Sequence, residues 1–334
     1  MKTMVLAIGG NSLIHAGEKG TIGEQLANAR QVAAQVVGLI RDGWNIVLTH
    51  GNGPQVGAEL LLSERAAGVV PGRPLDVCDA STQGEMGYLL QQALNSELRQ
   101  AGLRVPVVTV LTQCLVSTDD PAMKNPTKPV GRFFTQAEAE ERQRQFGWTM
   151  VMDAQRGYRR VVPSPRPLQI IELEVIHQLF ESGALVIACG GGGIPVAWVN
   201  GELDGVEAVI DKDLASSLLA SQLGVDLFVI ATDTDYVCVD YKKASQRPLE
   251  RVDSAQLEKY LHAGEFAPGS MGPKIESALQ FLETGGKEAI ITSCSDVCAA
   301  VARGAGTHIV PAALAIAGNI PGDAVHAAGS PRCR

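Results

Sequence analysis

Short unbroken runs of apolar residues recur along the chain, separated by longer stretches in which apolar positions return every three or four residues. The runs Met4–Ile8, Ile46–Thr49, Val105–Leu111, Leu185–Cys189, Leu227–Ala231 and Ala289–Thr292 are largely continuous rather than alternating, as in strands buried on both faces. The stretches Gly23–Arg41, Ser81–Gln100, Gln169–Glu181, Asp211–Leu223 and Ser270–Glu283 carry helical spacing, and most end at or near a glycine. Strand and helix alternate, so the pattern predicts an α/β protein with a mainly parallel central sheet covered on both faces. The segment Ser117–Arg166 breaks the alternation with prolines at 121, 126, 129, 163 and 165, and residues from about 118 to 158 are expected to form an inserted lid. Beyond Pro311 the chain is rich in Ala, Gly and Pro, and 312–334 reads as a tail.

Composition narrows the classes of function. With 334 residues the chain accommodates two domains or one large one, and 46% hydrophobic against 19% charged residues excludes disorder and coiled coil. A net charge of -8 with no basic run makes nucleic acid an unsuitable partner. No stretch approaches the roughly 20 apolar residues of a membrane span, so no membrane partner is expected either. The seven cysteines include no CxxC pair, so neither a disulfide framework nor a zinc site is suggested. Met4–Ile8 is too short for the apolar core of a signal peptide, and a cytoplasmic location is expected.

Glycine, 36 residues of 334, is the over-used type, and its clusters point to the chemistry. Gly9-Gly10-Asn11, Gly51-Asn52-Gly53 and Gly190–Gly193 each follow an apolar strand, at the sheet edge where open α/β proteins bind ligands. Turns without Cβ atoms let backbone N–H groups converge on an anion, so three of them favour a polyanion site. None spells a P-loop, and Gly51, Gly53 and Gly57 miss the dinucleotide spacing by one residue. Asp211-Lys212-Asp213 runs from a strand into a helix, with Asp211 placed to cap it and Lys212 held between two carboxylates. Lys274 in Gly269–Lys274 and Lys128 in Asn125–Pro129 are likewise fixed by Gly or Pro in loops, as point charges for phosphate oxygens would be.

Together the segments Ala7–Asn11, Thr49–Gly57, Asn125–Gly131, Val162–Pro165, Cys189–Val196, Gly205–Ala215 and Gly269–Lys274 resemble those of the carbamate kinases, which have the amino-acid kinase fold. The resemblance runs from Met4 to about Val310. It implies a three-layer α/β/α sandwich: an acceptor lobe over 1–200 that includes the lid, and a nucleotide lobe over 201–311. It also implies a homodimer and reversible phosphoryl transfer between ATP and carbamate, giving ADP and carbamoyl phosphate, with Mg²⁺. By the same resemblance Lys128, Lys212, Lys274 and Asp213 would be catalytic. Gly9, Gly10, Asn11, Gly51, Asn52 and Gly53 would hold the acceptor, and Asp211, Thr232, Asp233, Tyr236, Met271 and Gly272 the nucleotide. No residue is expected to bind a metal directly.

Carbamate is already an oxyanion, so its attack on phosphorus needs no general base, and His50 reads as a buried structural residue. The residues leave two alternatives open, a kinase for a larger carboxylate and a catalytically weak, regulatory relative. Cys78-Asp79-Ala80-Ser81 stands where small and apolar residues are expected before Thr82-Gln83-Gly84, and Met152 and Gln155 interrupt the lid's expected acidic and glycine positions.

Overall fold

The computed structural model describes residues 2–15, 17–152, 157–267 and 269–312. Gln155 and nearly all of the tail expected at 312–334 lie outside the described residues.

Eight strands form the central sheet. Across it they run Arg251–Asp253, Thr307–Val310, Glu288–Ser293, Leu227–Thr232, Lys2–Ile8, Trp44–His50, Leu185–Ile187 and Val107–Thr109. All neighbours are parallel except Glu288–Ser293 with Thr307–Val310. The first strand shows why the pattern was continuous. Its Val5 and Ala7 enter one core with Ala215, Leu219 and Ile275, while Met4, Leu6 and Ile8 enter a second core with Ala29, Val32, Met86 and Leu90. Both faces of the sheet are therefore buried beneath helices, and the molecule is the three-layer α/β/α sandwich.

The helices start where their chemistry allows. Thr21 opens Ile22–Arg41 with a capping box in which its hydroxyl accepts from Glu24 N and the Glu24 carboxylate accepts from Thr21 N, an arrangement typically worth about 1 kcal/mol. Asp211 caps Lys212–Leu223 as anticipated. Two helices differ from expectation. Leu75–Gln100 begins six residues earlier than Ser81, after Pro74, and so brings Cys78 and Asp79 into the buried interior. Gln169–Ile170 is a short strand paired with Cys114–Leu115, and the helix starts only at Leu173, because the Glu172 carboxylate is taken by Gln113 N and Nε2 at 2.7 and 2.8 Å.

The segment that broke the alternation forms a sheet of its own. Strands Lys128–Phe134, Thr149–Met152 and Tyr158–Val162 pair antiparallel, with the helix Gln136–Phe146 between the first two. The pairing runs to Val162 rather than ending at 158, because Val161 and Val162 are buried partners of Pro129 and Lys128. This small sheet docks on the helix Gly53–Ala66, and Gly57 and Gly131 permit the approach: a Cβ on Gly57 would stand 3.3 Å from Gly131 Cα.

Candidate active site

The first strand lies between Trp44–His50 on one side and Leu227–Thr232 on the other, so the chain order reverses across it. In open α/β sheets that reversal leaves a crevice outside the carboxyl ends of the strands. A cavity of about 1180 Å³ opens there, above the roughly 300–1,000 Å³ of an ordinary small-molecule pocket and roomy enough for a nucleotide beside a second substrate.

The first two glycine turns form its floor. Gly9 N donates to Ala231 O at 3.1 Å and Gly51 N to Ile8 O at 3.0 Å, so these two amides tie the turns to the sheet. Gly10 and Gly53 instead open helical turns, where N–H groups have no intrahelical acceptor and remain for an anion. The turns touch backbone to backbone. A Cβ on Gly51 would stand 2.8 Å from Gly10 N and 3.2 Å from Lys212 Cδ.

The third cluster behaves differently. Gly191, Gly192 and Gly193 have φ of 69, 105 and 89°, and only Gly191 lines the cavity. Here the missing Cβ atoms make room for neighbours. Cβ atoms on Gly190, Gly191 and Gly192 would lie 2.6 Å from His50 Nε2, 2.4 Å from Asn52 Nδ2 and 2.6 Å from Ile210 O. Gln83 staples this turn in place, its Nε2 donating to Gly190 O and Thr112 O at 2.9 and 3.0 Å while its Oε1 accepts from Thr112 N. The third cluster is thus also a scaffold on which His50 and Asn52 rest, with Gly191 still at the cavity wall.

Three lysines converge from three segments. Lys212, the first residue of its helix, and Lys274, in the first turn of Met271–Glu283, both bond the Asp213 carboxylate, Lys274 at 3.0 Å to Oδ2 and Lys212 to Oδ1. Lys128, the first residue of the lid sheet, reaches Asp211 Oδ2 at 2.7 Å, while Asp211 Oδ1 caps the helix through Asp213 N at 2.9 Å. Burial alone would raise the Asp213 carboxyl, but the two ammonium groups overcome it and hold the acid down at about 2. Burial also pulls Lys212 below the ordinary lysine value, with Asp213 opposing; at Lys274 the Asp213 carboxylate more than offsets burial and the pKa ends above it. Five charges, three lysines and two aspartates, are therefore fixed at the mouth of one helix.

His50 is not among them. Burial, with a further push from Lys212, brings its pKa to about 4, against a bond to the Gly51 carbonyl at 3.2 Å that works the other way. It is neutral near pH 7. Gly9, Gly10, Gly51, Asn52, Gly53, Asp211, Thr232, Asp233, Tyr236 and Met271 all line the cavity with the three lysines and Asp213. The Asn11 side chain lies outside the described ones. Gly272 is set apart: it is buried, its N–H donates to Ala267 O at 2.9 Å, and a Cβ there would crowd that carbonyl at 3.1 Å, so it packs the loop rather than facing the cleft. Ser12, Arg159 and Cys294 also line the cavity, and no sequence motif pointed to them. No group of three or more His, Cys, Asp or Glu that could hold a metal occurs among the described residues.

A cleft at the switch point of a parallel sheet, with two amide-bearing turns and clustered lysines, defines a protein that handles phosphoryl groups. The sequence model of the Amino acid kinase family matches residues 2–293. The chain is 47% identical over 313 residues to the carbamate kinase of Thermococcus kodakarensis, covering 93% of this chain and 99% of that one. It is 50% identical over 299 residues to carbamate kinase 1 of Enterococcus faecium, covering 89% and 94%. Among solved structures it superposes on the carbamate kinase from Giardia lamblia bound to AMP-PNP with a TM-score of 0.88 at 44% identity, covering 93% and 98%. The chain therefore belongs to the amino acid kinase family, within its carbamate kinase branch.

Proposed function

We propose that this chain transfers a phosphoryl group reversibly between ATP and carbamate, in the direction of ATP formation from ADP and carbamoyl phosphate. The observation that carries the reading is the convergence of Lys128, Lys212 and Lys274 from three separate segments on the two open glycine turns. In the forward direction an ADP β-phosphate oxygen attacks the phosphorus of carbamoyl phosphate, the P–O bond to the carbamoyl group breaks, and carbamate leaves with that electron pair. No proton has to move, which matches a site where the buried His50 beside the second glycine turn stays neutral.

The chain's work is then to bring two anions together and to neutralise charge as it redistributes. Lys212 and Lys274 hold the phosphate chain, with Asp213 fixing both ammonium groups. The N–H groups of Gly10 and Gly53 meet the transferring group, and Asn52 borders the acceptor. Thr232, Asp233, Tyr236 and Met271 border the nucleotide. Lys128 arrives from the lid sheet, whose closure would exclude water from a labile acyl phosphate.

Mg²⁺ fits this site as an ion carried on phosphate oxygens. Asp211 and Asp213 are already taken by lysines, so Asp233 and Asp235, on the cavity wall, are carboxylates that could meet such an ion or its waters. Bound there, it would neutralise charge between the phosphates. A homodimer in the cytoplasm completes the reading. The dimer is supported by the large apolar side chains left exposed at Tyr88, Leu111 and Trp198, which a second subunit would cover. Purified protein supplied with ADP, carbamoyl phosphate and Mg²⁺ should form ATP well above background. Folded protein that forms none would remove the reading.

A further inference from the structure

We propose that Asp79 is a positioning residue for the acceptor end of the cleft, acting through the carboxamide of Asn52, and that its ionisation sets how firmly the acceptor is held. The proposal rests on the reading of Asn52 as part of the acceptor site. Asp79 sits in the second turn of the helix Leu75–Gln100 and is 2% exposed. Asn52 precedes the helix Gly53–Ala66 and lines the cavity.

The Asn52 amide is held from three sides. Its Nδ2 donates to Asp79 Oδ1 at 2.7 Å and to Thr82 Oγ1 at 2.9 Å. Thr82 cannot reverse that bond, because its own hydroxyl hydrogen goes to the Asp79 backbone carbonyl at 2.7 Å. Gly191 is the third side, since a Cβ there would stand within 2.4–2.9 Å of the carboxamide atoms. Both amide hydrogens are thus committed to the Asp79 helix, and the orientation of Asn52 follows from what Asp79 can accept.

What Asp79 accepts depends on its proton. The charged groups acting on it are two carboxylates, Asp76 on its own helix and Glu207 from the loop after the strand Glu202–Gly205, and Glu207 is itself paired with Arg160 at 2.6 Å. From the neighbouring strand end His50 brings no charge near pH 7. Burial pushes the Asp79 acid up to about 7, the Asn52 bond opposing and the two carboxylates adding to the rise. As a carboxylate it is a charge-assisted acceptor and locks the amide. As an acid it presents an O–H that suits an amide oxygen, so the lock on the hydrogens loosens. An aspartate stands here where the family resemblance leads to a small or apolar residue, which makes the device a property of this chain.

The test compares Asp79→Asn, which keeps an oxygen for Asn52 and cannot ionise, with Asp79→Val, which offers none. The wild-type KM for carbamoyl phosphate should fall about threefold or more from about pH 6 to about pH 8, beyond any change seen in Asp79→Asn. Asp79→Val should raise that KM about tenfold at pH near 8, as loss of one buried charged acceptor implies, with kcat and the KM for ADP within about twofold in both variants. A wild-type pH profile in Asp79→Asn, or an equal rise in the KM for ADP, would overturn the proposal. Should Asp79→Val fail to fold, the near-isosteric Asp79→Asn carries the comparison. A second readout needs no turnover. The Asn52 side-chain amide resonances, assigned by their loss in Asn52→Ser, should titrate with a midpoint of about 7 in the wild type and stay still in Asp79→Asn. Resonances that do not move in the wild type overturn the proposal, while moving resonances in a protein that makes no ATP uphold the coupling and remove only the carbamoyl phosphate reading.

Discussion

Two buried carboxylates, Asp213 on the wall of the cleft and Asp79 behind its Asn52, are treated in opposite ways. Asp213 is clasped by two lysine ammonium groups, and its acid is held down at about 2. Asp79 receives hydrogen bonds from one amide and feels only other carboxylates, and its acid is pushed up to about 7. Burial penalises both, so what separates them is the charge of their neighbours. Around Lys212 and Lys274 the protein has built a permanent charge array, and behind Asn52 a group whose charge is conditional.

The largest effect expected from breaking that contrast is at Asp213. Asp213→Ala would leave Lys212 and Lys274 facing each other in a buried site, a change that in comparable buried clusters costs about 3–5 kcal/mol, and turnover should be undetectable; chemical denaturation with an ATP-formation assay checks both. Next come the lysines. Lys212→Ala and Lys274→Ala should each lower kcat about 100-fold or more with the fold intact, because on the proposed function each removes a fixed cation from the transferring phosphates. Near-wild-type turnover in either would return that lysine to a structural role.

Lys128→Ala should cost about 30-fold in kcat and leave the KM for ADP within about twofold, since its charge enters from the lid sheet rather than the nucleotide wall. Losses of equal size in both would place Lys128 at the nucleotide instead. The smallest effect sharpens the contrast through pH. A lowered folded pKa makes Asp213 stabilising above about pH 4 and lets that stability go as pH falls through its folded value of about 2. The raised pKa of Asp79 has the opposite sign: its contribution is complete below about pH 4 and is lost as pH rises through about 7. Melting of Asp79→Asn should therefore gain on the wild type by a few degrees between about pH 5 and about pH 8. A gap that is constant with pH would show that Asp79 does not ionise in this window.

Much of this was legible in the amino-acid sequence, for reasons that differ by residue. Strands buried on both faces announce themselves as continuous apolar runs, and Asp211 announces a helix start because a side-chain acceptor before a helical stretch has few other uses. Lys128, Lys212 and Lys274 stood out because glycine and proline fix the backbone around them. The glycine clusters were only partly legible. A glycine that frees an N–H for an anion and one that makes room for His50 look the same in one dimension, and only the atoms opposite Gly190–Gly192 tell them apart. The last sheet strand, Thr307–Val310, was missed because its place, antiparallel to Glu288–Ser293 and parallel to Arg251–Asp253, follows from tertiary pairing. Asp79 read as a departure from pattern, and its meaning needed the position of Asn52 on another helix.

The Lys128–Asp211 pair carries one further consequence. Asp211 divides its two oxygens between a helix cap and the lid cation, so one of the three Lys128 N–H donors is committed to a carboxylate 2.7 Å away and its direction is set. A phosphate dianion would present more charge and more acceptor atoms to that ammonium than a monoanion does. The pair fixes where the Lys128 charge stands before any ligand arrives, so an incoming phosphate would meet a cation already in place.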